Sequence, residues 1–271
     1  MPFTLAHPAA VLPLLRHPFV PAALVAGSMA PDVPYFLRAA GITSTTAGDW
    51  YEPLLNATHT HSLTGLPIDL LYAVALVLAY WLVRAPITAL LPPGLALPQP
   101  KSEPRPAPAT SSSNYGRGRA GVQYIGWLVM SALIGVGTHL LWDAFTDTDL
   151  LPAQRLLQYA STAFGLVVVT WYLWQHRTQL RTTEDRTHHL TPAVRRPVLA
   201  LLIAAPLLGA AVLAHRDYTD YQTDSAAWTA IAEGVLTGAV KRAGAALAIA
   251  LLLYTAAWQA VRPLQKKSPQ H

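Results

Sequence analysis

The sequence predicts an all-α, polytopic membrane helix bundle of about five spans, with an N-terminal re-entrant or interfacial helical element. Three observations support this fold class. The 271 residues are 52% hydrophobic and only 12% charged, which is about half the charged share of a soluble domain. The apolar residues form five long blocks, and roughly 20 apolar residues suffice for a helix to cross a bilayer. The basic residues are concentrated in alternate connections between these blocks.

The five predicted spans differ in length and uniformity. The second ends in polar residues, and the fourth is short. An earlier apolar block, Ala9 to Ala30, is interrupted by prolines and by Arg16 and His17. Because proline breaks the interior of a helix, we expect this block to be re-entrant or interfacial. The predicted spans are Leu63 to Val83, Tyr124 to Asp143, Leu156 to Trp174, Val198 to Ala214 and Ala243 to Val261.

The basic residues also predict the orientation. Thirteen of the 19 Lys and Arg residues lie in the connection after the first span, between the third and fourth spans, or from Arg262 into the tail 263–271. Since Lys and Arg are retained in the cytoplasm, we expect an external N-terminus and a cytoplasmic C-terminus in the inner membrane of a bacterium. The positive charge then reflects topology, and no nucleic acid partner is expected. The residues assigned to the external side are Arg16, Arg38, Arg155, Arg216, Lys241 and Arg242.

Residues 92–120 are rich in proline, serine and glycine and offer almost nothing to bury. They are predicted to form a disordered cytoplasmic linker within a single membrane domain, 1–271. Gly116, Gly118 and Gly121 fit a dinucleotide-binding fingerprint, but no strand precedes them, so the match carries no function. The chain has no cysteine. Any metal must therefore be bound by nitrogen and oxygen.

Ionisable side chains are costly in membrane spans and therefore mark candidate sites. His139 and Asp143 lie four residues apart at the end of the second span, on one helical face. Thr146 continues this face, and Asp147 lies one turn beyond Asp143. An imidazole and a carboxylate at this spacing can reach one metal ion. Alternatively, they belong to a solvated helix end.

Two further groups precede the first span or lie near the N-terminus. His59 and His61 come directly before the span, where Thr60 or Ser62 can cap the helix. The positive end of the helix dipole keeps a nearby imidazole neutral, as a metal ligand must be. His7 and Asp32 lie in the N-terminal region, with Asp32 between two prolines. Each residue alone is also explained as an interfacial or surface group.

The predicted topology brings these candidates to the same side of the membrane. The third, fourth and fifth predicted spans contain no Asp, Glu, Lys, Arg or His, which argues against a transporter, because transporters carry such groups near the midplane. Asp69 lies about two turns inside the first span. It is either a partner of the site or part of a buried hydrogen bond between helices. The converging candidates are His7, Asp32, His59, His61, His139 and Asp143.

Five motifs together resemble a bacterial domain-of-unknown-function family of multi-pass membrane proteins. They are MPFTLAHPAAVLP, GSMAPDVPYF, THTHSLTGLPIDL, THLLWDAFTDTD and the pattern of Gln158, Ser161 and Gly165. The same skeleton more distantly resembles the membrane-bound metal-dependent hydrolases related to zinc-dependent phospholipase C. One departure is Asp147, where many relatives are expected to have histidine. The resemblance implies that the metal ligands are His7, Asp32, His61, His139 and Asp143, with His59 as an extra candidate.

The function that we expect is metal-dependent hydrolysis at the external interface of the lipid bilayer. The ligand set can hold one or two divalent ions, zinc first, with manganese or iron as alternatives, and such an ion activates water. His59 and Asp147 are candidates for the general base, and Ser62, Asp69 and Thr146 for supporting partners. A site at headgroup depth implies a lipid or lipid-linked phosphate substrate. The alternative is a non-enzymatic protein with a structural metal site or a hydrogen-bonded cap, although the ligands outnumber the four of structural zinc.

Overall fold

The computed structural model describes residues 3–43, 49–91, 114–146, 154–177, 190–223 and 228–266. Within these ranges the chain is helical and contains no strand, so the predicted all-α class is confirmed. Five of the described helices are long and apolar enough to cross a membrane. The chain is therefore a multi-pass helical membrane protein.

The described α-helices fall into a short N-terminal group and a long group. The short helices are α1 (Pro8–Val11), α2 (Pro21–Met29), α3 (Val33–Ala39), α4 (Glu52–Leu55) and α5 (Ala57–Thr60). Between them lie the 3-10 turns Thr4–Ala6, Leu12–Leu14 and Ala30–Asp32, and a fourth, Leu63–Gly65, precedes the first long helix. The long helices are α6 (Leu66–Leu90), α7 (Asn114–Thr146), α8 (Gln154–Gln175), α9 (Pro192–Thr223) and α10 (Trp228–Lys266).

The chain divides into two compact units. The first consists of Met1–Val33, Asn56–Tyr80 and Ala96–Thr183, and the second of Pro34–Leu55, Trp81–Leu95 and Glu184–His271. In the second unit α9 packs along α10, and the Tyr254 hydroxyl of α10 donates to the Pro86 carbonyl oxygen at 2.9 Å. The candidate site residues that the structure describes all lie in the first unit.

The N-terminal block forms a hairpin of short helices within the first unit, and none of them is long enough to span a membrane. Its turn, residues 15–20, contacts the middle of α7: Phe19 packs edge-on against Trp127, and the Val20 N–H donates to Ser131 Oγ at 2.9 Å. Ser131 lies about 18 Å along α7 from Asp143. The two ends of the hairpin return to the Asp143 end of α7. The block thus runs from the Asp143 end of α7 towards the middle of α7 and back, which is the path expected of the predicted re-entrant element.

Small residues allow the returning arm of the hairpin, α2, to lie directly against α7. A side chain on Gly27 would collide with the Ala132 backbone, and one on Gly135 with the Leu24 carbonyl oxygen. Such small-residue contacts let helix backbones approach closely in membranes. They also hold the carbonyl of Ser28 next to α7, where its oxygen accepts a hydrogen bond from His139.

We expect Gly135→Ala to destabilise the protein by about 1 to 3 kcal/mol, because the added methyl group overpacks the α2–α7 contact. Gly137→Ala is the matched control, since a Cβ at Gly137 meets nothing within 4 Å. Alanine favours a helix over glycine by about 1 kcal/mol, so the control is expected to be neutral or stabilising. Unfolding of both variants in detergent measures the difference, and equal stability of the two would show that the contact is not tight.

Three of the candidate spans begin earlier than predicted, the second by three residues and the fourth and fifth by more. The fourth candidate span begins at Pro192 instead of Val198, because Arg195 and Arg196 lie in the first turns of α9, where long basic side chains can reach polar surroundings. The fifth candidate span begins at Gly234 instead of Ala243. It therefore includes Lys241 and Arg242, which the sequence analysis places outside it. In the second unit, the Lys241 ammonium lies 4.3 Å from the centre of the Tyr35 ring.

Arg16 lies elsewhere than the sequence analysis assigns it. It belongs to the hairpin turn beside Trp127 and Ser131, away from the end of α7 that carries Asp143. The sequence shows that the block is interrupted, but the depth of its turn is set by packing against α7.

The predicted linker and tail lie largely outside the described residues. Residues 92–113 and 267–271 are not described, α7 begins at Asn114, within the predicted linker, and α10 extends to Lys266. The disorder of the linker and the single-domain organisation stay predictions.

Candidate metal centre

Helix α7 presents His139 and Asp143 on one buried face near its C-terminal end. His139 Nε2 lies 3.4 Å from Asp143 Oδ2. The His139 ring is oriented from the hairpin, because its Nδ1 donates to the Ser28 carbonyl oxygen at 2.8 Å. A carbonyl oxygen only accepts, so Nδ1 carries a hydrogen atom and Nε2 is the ring nitrogen that faces the cluster.

His61 is oriented in the same way by the turn between α5 and α6. The side chain of Asn56 caps α5, and His61 Nδ1 donates to the Ala57 carbonyl oxygen at 2.7 Å. The Thr60 hydroxyl donates to the Pro31 carbonyl oxygen at 2.8 Å, which ties this turn to the hairpin. Nε2 of His61 is thus the ring nitrogen that faces the other candidates.

His7 lies at the start of the hairpin and is positioned by α8. The Phe3 N–H donates to Thr162 Oγ1 at 3.0 Å, and the backbone of Gly165 allows Ala6 to approach α8 closely, because a side chain there would collide with Ala6. His7 is 1% exposed, and neither ring nitrogen has a hydrogen-bond partner among the described residues.

Asp32 ends the 3-10 turn on the returning arm and is 4% exposed. His7 and Asp32 are 25 residues apart in the sequence, yet both carry a ligand atom of one group with His139. The His7 ring stacks on the His139 ring, with the ring centroids 3.8 Å apart.

The five side chains converge at spacings that suit a metal ion. For a tetrahedral ion with bonds of about 2.0–2.2 Å, neighbouring ligand atoms lie about 3.3–3.6 Å apart. The measured separations are His61 Nε2 to His139 Nε2, 3.3 Å; His61 Nε2 to Asp32 Oδ1 and to Asp143 Oδ2, each 3.4 Å; His7 Nε2 to Asp143 Oδ1, 3.6 Å; and His139 Nε2 to Asp32 Oδ1, 3.8 Å.

Two overlapping groups of three ligands share His139. One contains His7, Asp32 and His139, and the other contains His61, His139 and Asp143, with the ligand atoms of each group within 4.8 Å of one another. The ligand types are imidazole nitrogen and carboxylate oxygen, which suit zinc, manganese and iron. The chain can therefore hold a metal ion here, and its identity is left open by this ligand set.

The hydrogen-bond chemistry requires a positive charge at the centre of the cluster. Nε2 of His61 is surrounded by Nε2 of His139 and by carboxylate oxygens of Asp32 and Asp143. A proton on His61 can be directed at one of these three acceptors at a time. A metal ion accepts electron pairs from all of them together, so the geometry fits an ion better than a single proton.

The pKa values of the histidines outside the spans are strongly perturbed. Burial, with the neighbouring His139, lowers the pKa of His7 to about 4, so this ring is neutral at physiological pH. Burial also acts to lower the pKa of His61, but hydrogen bonds to Asp143 and Asp32 outweigh it and raise the pKa to about 10. Burial acts to raise the pKa of Asp32, and the hydrogen bond from His61 outweighs it, so Asp32 stays ionised. The two carboxylates thus favour a positive charge at His61, whether a proton or a metal ion supplies it.

His61 is also the most exposed member of the cluster. Its side chain is 13% exposed, against 9% for Asp143, 5% for Asp32 and 0% for His139. His61 precedes α6 and Asp143 lies near the end of α7, so the cluster lies where one candidate span begins and another ends. His61 is therefore the part of the cluster most open to the surroundings.

The other predicted site residues occupy different positions. His59 is partly exposed and belongs to neither ligand group. The Ser62 hydroxyl donates to the His59 carbonyl oxygen at 2.6 Å, and the buried Thr146 hydroxyl donates to the Asp143 carbonyl oxygen at 3.1 Å. Thr146 therefore holds the turn that carries Asp143. Asp147 lies outside the described residues, and Asp69 is buried near His61 and His139.

The sequence analysis assigns no role to the residues that orient the ligands, although Ser28 and Gly165 lie in the motifs that it quotes. Ser28 and Ala57 act through backbone carbonyl oxygens, which leave no side-chain signal. Gly135 and Gly165 act by having no side chain. Of the two glycines, Gly135 is the one that lies close to a ligand in the sequence, one helical turn before His139.

These observations define a multi-pass helical membrane protein with a His/Asp cluster that can hold a metal ion. The chain belongs to a family described as a domain of unknown function (DUF4184), whose model matches residues 1–150 and 148–256. This confirms the predicted membership of a domain-of-unknown-function family. No curated protein and no solved structure matches the chain. The relation to membrane-bound hydrolases stays a prediction.

Proposed function

We propose that the protein is a membrane-embedded metal-dependent hydrolase that acts on a lipid or lipid-linked phosphate. The observation that carries the proposal is the convergence of three imidazoles and two carboxylates, with six pairs of their ligand atoms 3.3 to 3.8 Å apart. Four ligands close a structural zinc site. Five candidate ligands exceed this number, so not all of them are needed to hold one structural ion.

The position of the cluster supports a lipid substrate. The site lies where α6 begins and α7 ends, at the end of two candidate spans. Leu63, Leu141 and Phe145 beside it are exposed large apolar side chains, which in a membrane face acyl chains. A lipid diffusing in the bilayer can therefore bring its headgroup to the cluster and keep its chains in the apolar phase.

The proposed reaction is hydrolysis of a phosphoester. The bound metal ion supplies Lewis-acid chemistry, which makes water a better nucleophile and neutralises charge on the phosphoryl oxygens. One water oxygen forms a bond to phosphorus, the phosphorus–oxygen bond to the alcohol breaks, one water proton passes to a base, and the alcohol oxygen takes up a proton. Asp32 and Asp143 would hold and orient the metal ion. His59 or Asp147 is proposed as the base that takes up the water proton.

We also propose that the site faces the exterior of a bacterial inner membrane, with the N-terminus external and the C-terminus cytoplasmic. The basic residues of the connections support this orientation. Arg16 adds to it, since the hairpin turn that carries it lies away from the site end of α7.

The alternative function is structural. The low exposure of the ligands supports it, because a sealed cluster suits an ion that fastens the hairpin to α6 and α7. A structural ion predicts bound metal without turnover, whereas the hydrolase requires both.

The test is hydrolysis of mixed phospholipids by the detergent-purified protein, after reconstitution with zinc, manganese or iron. We expect release of a phosphorylated headgroup or of phosphate, and Asp143→Asn is expected to lower the rate at least about 100-fold. His176→Ala is the matched control, because His176 stacks on Tyr172 outside the cluster. Stoichiometric metal without turnover of any lipid phosphate would favour the structural function.

A further inference from the structure

Asp69 is a buried carboxylate that the proposed ligand set does not use. It lies in the first turn of α6, and its side chain is fully buried. Neither carboxylate oxygen has a hydrogen-bond partner among the described residues. His61 and His139 are close enough to interact with it electrostatically, as is the Tyr72 phenol one turn on.

A buried carboxylate without a partner requires a compensating charge or a proton. An ionised carboxylate inside a membrane protein is costly unless it is paired. A proton on one oxygen would turn it into a donor that also needs an acceptor, and no described residue supplies one. A bound cation would satisfy both oxygens at once, whereas a proton satisfies only the oxygen that carries it.

The charges at the site give an independent reason for a second cation. One divalent ion with neutral imidazoles balances the charges of Asp32 and Asp143. An ionised Asp69 then adds one uncompensated negative charge within electrostatic reach of His61 and His139. A second divalent ion changes the net charge of the site from minus one to plus one, which a phosphodiester, as a monoanion, would neutralise.

We propose that Asp69 binds a second cation next to the His61–His139 edge of the cluster, and that the resulting two-ion site takes a phosphodiester. This inference rests on the proposed metal-dependent function. Pairs of metal ions recur in sites that hydrolyse phosphoesters, where they bind the attacking and the leaving oxygen. The chain thus offers three carboxylates and three histidines for two ions.

The experiment is metal stoichiometry by elemental mass spectrometry after equilibrium dialysis against Mn²⁺ or Zn²⁺. We expect about two ions per chain in the wild type and about one in Asp69→Asn, which keeps the shape of the side chain. Thr255→Val is the matched control, because Thr255 is a fully buried hydroxyl without a partner among the described residues, in the second unit. It is expected to keep about two ions.

The outcomes separate this inference from the proposed function. The same stoichiometry in the wild type and in Asp69→Asn, with loss of metal in His139→Ala, would overturn the second cation and leave the first ion intact. No bound metal in any of these proteins would overturn both. A wild type with about two ions and an Asp69→Asn variant with one supports the two-ion site, whether or not a substrate is found.

Discussion

Replacing His139 by alanine is expected to abolish stoichiometric metal binding. His139 is the one residue common to both ligand groups, and its Nε2 lies within 4 Å of Asp32, His61 and Asp143. Loss of a supporting partner already lowers metal affinity about 10- to 100-fold. Loss of a shared ligand is therefore expected to raise the dissociation constant at least about 100-fold.

Isothermal titration calorimetry of the metal-free protein with Zn²⁺ or Mn²⁺ measures the change in the dissociation constant. His176→Ala, at the other end of α8 from the site, is expected to bind as the wild type does, and it controls for adventitious binding to surface histidines. The account would be contradicted if His139→Ala retained the affinity of the wild type within about twofold, because measured effects of a lost ligand are far larger.

The second large effect is expected on removal of the metal from the intact protein. The ion would link His7 and Asp32, at the two ends of the hairpin, to His61 and to α7. A ligand that binds only the folded state stabilises it by about 2.7 kcal/mol at a 100-fold excess over its dissociation constant, and by about 4.1 kcal/mol at a 1,000-fold excess. A chelator is therefore expected to lower the free energy of unfolding by a similar amount.

Hydrogen exchange locates this loss of stability within the chain. We expect faster exchange in α1 and α2 after chelation, while α9 and α10, in the second unit, exchange at an unchanged rate. Addition of metal should restore protection in the wild type but not in His139→Ala. A chelator that leaves both the unfolding free energy and the exchange of the hairpin unaltered would argue for a hydrogen-bonded cap without metal.

The sequence predicts the site better than it predicts the packing that builds it. His139 and Asp143 share a helical face, and their place at a span end follows from hydropathy and helix period alone. The convergence of His7 and Asp32 follows from the re-entrant character of the proline-interrupted block. Five of the predicted ligands thus come together in the structure. Whether they bind a metal stays a prediction.

The remaining features depend on tertiary contacts that leave no local pattern. The Ser28 carbonyl orients His139 only because Gly27 and Gly135 let α2 approach α7. The depth of the hairpin turn is fixed by Phe19 and its contact with Trp127. Neither contact has a characteristic residue spacing. Hydropathy alone also misses the beginning of the fifth span, where Lys241 pairs with an aromatic ring in the second unit.

X-ray absorption spectroscopy of the purified, metal-loaded protein tests the central claim most directly. We expect a first shell of about four to five nitrogen and oxygen ligands at about 2.0–2.2 Å, with the outer scattering of imidazole rings and no sulfur near 2.3 Å. The chain has no cysteine, so nitrogen from histidine is the signature of this cluster. A first shell of oxygen alone, or the absence of any stoichiometric ion, would contradict the claim.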